Sequence, residues 1–176
     1  MKKIPDFDII MGMNDTSHFI QKINIFQKKN ENITLKNYIS ETSEKRKWSL
    51  NNPGFLLGTA YMYFVFGQEK ELLKDYDIKE FLPKIKILEI QGKNNKDLHK
   101  VDIGDFIKIK LRNAIAHCSY NIEIRSKSNR IENDGQLWFV FEDEYGEGKV
   151  KFEMSFPTFG NLVEKAGAHV FNSLAK

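Results

Sequence analysis

The chain has 176 residues, 41% hydrophobic, with 14 Phe, 6 Tyr and 2 Trp and a formal net charge of +3. This length predicts one domain with an aromatic-rich core, and the small charge is only a weak hint of an anionic partner. The single cysteine, Cys118, excludes an intrachain disulfide. The start MKKIPDFDII lacks the apolar centre of a signal peptide, and Ala60 to Phe66 is too short to span a bilayer, so a cytoplasmic protein with no membrane partner is expected.

Asp15-Thr16-Ser17 predicts a helix start, followed by Phe19, Ile20, Ile23 and Phe26 at helical spacing. Asn30-Glu31-Asn32 breaks it, and Thr34 to about Trp48 reads as a second, more polar helix. A third begins at Asn52-Pro53, because proline in a first turn loses no hydrogen bond. Phe55, Leu56, Ala60, Tyr63, Phe64 and Phe66 make it apolar nearly all round, as at the centre of a bundle. Pro83 and Gly92-Lys93-Asn94-Asn95 mark loops on either side of Ile85–Ile90.

Asp102 to about Tyr120 is expected as one helix, with Asp102 or Asp105 favouring its N-terminus. The period then changes to two. Ile122 and Ile124 alternate with polar residues, as do Val150, Phe152 and Met154, and Leu137–Phe141 is a β-prone run. Asn133-Asp134-Gly135 and Tyr145-Gly146-Glu147-Gly148 are turn signals. Phe156-Pro157 leads into a last helix with Phe159, Leu162, Val163, Ala166, Val170 and Leu174 as its apolar stripe.

The segment richest in chemistry is Leu111-Arg112-Asn113-Ala114-Ile115-Ala116-His117. Arginine binds phosphate through a planar, permanently charged fork, and histidine moves a proton near neutral pH. Only four of the 27 basic residues are arginines (Arg46, Arg112, Arg125, Arg130), which makes one inside this segment more notable. At about 100° per residue, Ile103, Ile107, Leu111, Ala114 and Cys118 form the stripe expected to be buried, and roughly 140° separates Arg112 from His117. Asn113 and His117 share a ridge, with Lys110 beside them. Ile109 and Ala116 leave an apolar and a small residue on an otherwise polar face. A second copy of the helix could approach there, and a two-fold axis would bring two Arg and two His into one cleft. The plainer reading is an ordinary solvated helix end, with His117 interacting with the terminus.

LRNAIAHCSY resembles the signature of the HEPN superfamily: an Arg, four to six residues, then a His, with a polar residue, often Asn, after the Arg. Arg112, Asn113 and His117 match that pattern residue by residue. The resemblance implies a mainly α fold, a HEPN-like antiparallel helical bundle with a small β-hairpin or meander inserted before the last helix. On that plan residues 1–176 are one domain: N-terminal helices (1–50), a bundle core with the motif helix (51–120), a β insert (121–155) and a C-terminal helix (156–176). It further implies metal-independent RNA cleavage by a homodimer, with RNA as substrate, no cofactor, and an antitoxin protein as a further partner in a toxin–antitoxin or phage-defence role. The alternative is a non-catalytic HEPN module that binds RNA or a protein. Arg112, His117 and Asn113 are then the catalytic candidates, Lys110, Arg125 and Arg130 the RNA-binding ones, and Ile109 and Ala116 the dimer contacts. Some HEPN toxins carry a modifiable Tyr two residues after the His. Here Ser119 holds that place and Tyr120 follows it.

His18, His99 and His169 are isolated and read as structural or solvated, and Lys45-Arg46-Lys47-Trp48 as a solvated helix end. Arg125, Lys127 and Arg130 fit a phosphate-binding edge or surface decoration equally. Glu142-Asp143-Glu144 reads as a solvated turn, and Cys118 as a buried thiol. No HExxH, cysteine pair or acidic cluster at ligand spacing suggests a metal.

Overall fold

The computed structural model describes residues 2–5, 9–10, 14, 16–17, 20–21, 52–92, 102–125, 136–144 and 148–175. The expected helix from Thr34 to Trp48, the basic group at Lys45–Trp48, His18, His99, Lys127 and Arg130 lie outside them. The chain divides into two compact units, Pro5–Gly58 and Met1–Ile4 with Thr59–Lys176. Among the described residues no helix is long and apolar enough to cross a membrane.

In the smaller unit one side chain sets a helix start. Asn52 precedes α1 (Pro53–Ala60), and its Oδ1 accepts from the Phe55 amide at 3.0 Å. Its Nδ2 donates to Thr16 Oγ1 at 2.8 Å, so the cap also ties the helix to a residue 36 positions earlier. Pro53 takes the first helical position, as its missing N–H allows.

The larger unit is built on a five-stranded antiparallel sheet. Its strands are β1 (Lys2–Lys3), β2 (Lys86–Gly92), β3 (Tyr120–Ile124), β4 (Leu137–Asp143) and β5 (Gly148–Ser155), in the order β1-β3-β4-β5-β2. Strand alternation places Ile122, Leu137, Phe139, Phe141, Asp143, Val150, Phe152 and Met154 on one face, and all are buried. The long helix α4 (Phe156–Leu174) packs there: the Phe159 ring lies 4.7 Å from Phe139 and 5.2 Å from Phe141, centroid to centroid. Ser155 caps α4 by accepting from the Thr158 amide. Phe159, Leu162, Val163, Ala166 and Val170 form the expected stripe, whereas Leu174 at its far end is exposed. The second helix on this face is α3 (Ile103–Ala116).

This overturns the expectation of a mainly α bundle with a small β insert. The β3–β4–β5 meander was legible, but the sheet is a full layer of the core, joined by β1 at one edge and β2 at the other. β2 escapes a period-two reading because its register with β5 shifts between Ile87 and Glu89, which breaks the alternation. β1 is two residues long, too short for any local pattern.

Beyond α1 the chain runs through a π-helix (Tyr61–Phe66) into α2 (Gly67–Glu69). This stretch is not apolar all round in a buried setting, as expected from its composition. Tyr61, Met62 and Phe66 are exposed, while Phe64 and Val65 are buried. Tyr63 approaches α4 at Gly167, where an added Cβ would stand 2.6 Å from its ring, so only glycine permits this contact.

Candidate functional site

The site is built on α3, whose start and end are both set by side chains and turn chemistry. Asp102 is the N-cap: its Oδ1 accepts from the amides of Gly104 at 2.8 Å and Asp105 at 3.4 Å. Lys79 donates to the Asp102 carboxylate at 2.7 Å and, with the two amides, holds the carboxyl below its usual range. A Cβ at Gly104 would stand 3.0 Å from the capping carboxylate, so a larger residue there would press on the cap.

At the other end the helix stops at His117, earlier than the expected Tyr120. Ser119 donates its amide to the Ala114 carbonyl at 2.8 Å, and Cys118 to that of Ile115 at 3.3 Å. This is the Schellman pattern, which needs a left-handed residue just past the cap. Cys118 fills that position with φ 54° instead of the usual glycine. Its thiol is exposed, not buried as expected, because the helical stripe ends before it. The reversal sends Tyr120 directly into β3.

The buried face of α3 is wider than the predicted stripe and includes two lysines. Phe106, Ile107, Leu111, Ala114 and Ile115 are buried, while Ile103 is exposed. Lys108 is buried and donates to the Tyr76 carbonyl at 2.8 Å and to Asp105 at 3.0 Å. Lys110 is buried too, with its ammonium 2.8 Å from Asp143 Oδ2 and 2.6 Å from the Gly148 carbonyl. The expectation that Lys110 faces RNA is therefore corrected: its charge is used inside the fold.

Arg112 is half-buried, and its Nη1 donates to Asn113 Oδ1 at 3.0 Å. Its Nη2 lies 3.6 Å from the carboxylate of Glu69 on α2. Its Nε is buried and has no hydrogen-bond partner among the described residues. Asn113 Nδ2 donates to Asp143 Oδ2 at 3.2 Å. A continuous polar chain thus crosses α3, from Glu69 through Arg112 and Asn113 to Asp143 and Lys110. His117 stands exposed at the helix C-terminus, one turn on from Asn113 along the same ridge. The structure therefore links Arg112 directly to Asn113. Ile109 is 48% exposed and Ala116 half-buried.

Arg125 does not form an open phosphate-binding edge. Its guanidinium meets Glu153 through Nη1 at 3.0 Å and Nη2 at 2.6 Å, meets Glu123 at 2.8 Å, and stacks 4.6 Å from the Trp138 ring centroid. Glu153 is buried, and Arg125 holds its carboxyl below the usual range, aided by Lys86 at 3.3 Å. The expected RNA-binding role of Arg125 is corrected by this pairing.

The residue missed by sequence reasoning is Asp143. Glu142-Asp143-Glu144 was expected to be a solvated turn. Glu142 and Glu144 do pair with Lys149 at 2.9 and 2.8 Å, but Asp143 is buried. The available signal was parity: Asp143 follows Leu137, Phe139 and Phe141 at steps of two, so it must share their face.

The chain matches the family model described as HEPN pEK499 p136 over residues 10–173. Neither a curated protein nor a solved structure matches it at a significant level.

Proposed function

The chain belongs to the HEPN pEK499 p136 family, and on that premise we propose that it is a metal-independent endoribonuclease. The observation that carries this reading is the placement of Arg112, Asn113 and His117 in the last two turns of α3 and at its cap. In this reading the guanidinium of Arg112 binds the scissile phosphate and stabilises the charge that grows on it.

The 2′-hydroxyl attacks the adjacent phosphorus while a base removes its proton, and the 5′-oxygen leaves with a proton from an acid. The products are a 2′,3′-cyclic phosphate and a 5′-hydroxyl. His117 serves as one proton-transfer group, and the His117 of a second copy serves as the other. Exposed Ile109, with Ala116 on the same face, supports a homodimer through α3. DNA lacks the attacking hydroxyl and is not cut. This chemistry suits a toxin restrained by an antitoxin protein, or an effector of phage defence.

A second reading, a non-catalytic HEPN module binding RNA or protein, is favoured by one observation. Glu69 lies against the Nη2 edge that a phosphate would use. Incubating total RNA with purified protein in EDTA, beside Arg112→Ala and His117→Ala, separates the two. Cleavage that survives EDTA, leaves cyclic phosphate ends and falls by about a hundredfold or more in His117→Ala is expected. RNA binding without cleavage by a folded dimer would favour the second reading.

A further inference from the structure

Asp143 is a carboxylate on a sheet face whose other β4 positions are Leu137, Phe139 and Phe141. Burying a carboxylate costs several kcal/mol unless it is paired. The Lys110 ammonium supplies the charge at 2.8 Å, and Asn113 Nδ2 adds a second donor at 3.2 Å on the same oxygen. Lys110 and Asn113 are three apart on α3, so both reach the same point of β4 beneath them.

The consequence is directional. A carboxylate can only accept, so the amide of Asn113 must turn its nitrogen towards Asp143. Its Oδ1 then points the other way and accepts from Arg112 Nη1 at 3.0 Å. If the amide were flipped, its NH2 group would face the guanidinium, donor against donor, and its Oδ1 would face the Asp143 carboxylate, acceptor against acceptor. Asp143 therefore selects the one Asn113 orientation that holds Arg112.

We propose that the buried Lys110–Asp143 pair positions Arg112 through Asn113, so that β4, outside the Arg–His motif, sets the geometry of the phosphate-binding group. The proposal rests on the reading of Arg112 as that group.

The test replaces the pair by apolar residues of similar size, Lys110→Met with Asp143→Leu, because such a swap leaves no buried charge and tends to preserve folding. Nitrogen-15 NMR of the full chain reads the Asn113 side-chain amide and the Arg112 guanidinium. RNA cleavage in EDTA reads kcat and KM. The expected result is displaced or broadened Asn113 and Arg112 side-chain signals, and a kcat lower by about tenfold to a hundredfold, the cost of misplacing a reacting group by an ångström or less. In an Asn113→Ala background the same double substitution should change kcat less than about twofold, since the coupling runs through Asn113. Equal losses in both backgrounds would mean general destabilisation and overturn the proposal. So would unchanged Arg112 signals in a folded variant. If the double variant does not fold, the isosteric Asp143→Asn is read in the same way, with faster hydrogen exchange at Arg112 Nε expected and an unaltered rate overturning the idea. If the wild type cleaves no RNA, the ribonuclease reading fails on that result, while the NMR comparison still decides the positioning.

Discussion

Asn113 and Asp143 are 30 residues apart in the chain, yet the amide of one donates to the carboxylate of the other at 3.2 Å. That bond ties the motif helix to the last residue of β4. With Lys110 beside it, the contact makes the polar side of α3 part of the core.

Lys110 is a core residue by this account. Lys110→Ala should strip the buried Asp143 carboxylate of its ammonium partner and lower stability by about 3 kcal/mol. A urea titration followed by circular dichroism checks this. A fully stable variant with weakened RNA binding would instead restore Lys110 to the surface role expected from its position beside Asn113.

Glu69 lies 3.6 Å from the Nη2 of Arg112, so on the proposed reading it competes with phosphate for that group. Glu69→Gln should tighten RNA binding about two- to threefold, because the ion pair is solvent-exposed and an exposed pair is worth about 0.5 kcal/mol. Fluorescence anisotropy with a labelled RNA oligonucleotide at fixed salt measures it. Weaker binding in the variant would show that Glu69 helps to hold Arg112 in place.

The Arg125–Glu153 pair predicts an acid limit to stability. Glu153 has its folded pKa lowered by Arg125, so its contribution is present above the unfolded value near 4.5 and is lost as pH falls through the folded one. Thermal melts of the wild type from pH 6 to pH 3 should fall more steeply than those of Glu153→Gln. Arg125→Ala should destabilise the fold by about 3 kcal/mol at neutral pH, because it strips a buried carboxylate of its main partner, while leaving kcat for RNA unchanged. A stable variant with reduced kcat would contradict that separation.

Cys118 holds a left-handed conformation that a side chain resists. Cys118→Gly should therefore raise stability by about 1 kcal/mol, equivalent to about 2–4 °C in Tm for a chain of this size. Calorimetry in reducing buffer tests it. A lower Tm would mean that the thiol makes a contact that outweighs the strain.

Much of this protein was determined by sequence alone, because the deciding interactions are local. Asp102 before Ile103 caps α3, Asn52-Pro53 starts α1, and the β-prone run Leu137–Phe141 and the alternation in Val150–Met154 read as strands. The Arg112-Asn113-His117 motif is likewise readable, since it lies within two turns of one helix. Contacts between distant segments were not readable. Whether Lys110 meets water or Asp143, whether Arg125 is open or held by Glu153, and whether Lys86–Gly92 joins β5 all depend on which residues the fold brings opposite one another. Each of those charged side chains has a flexible stem that suits either solvent or a buried partner, and only the partner's position decides between them.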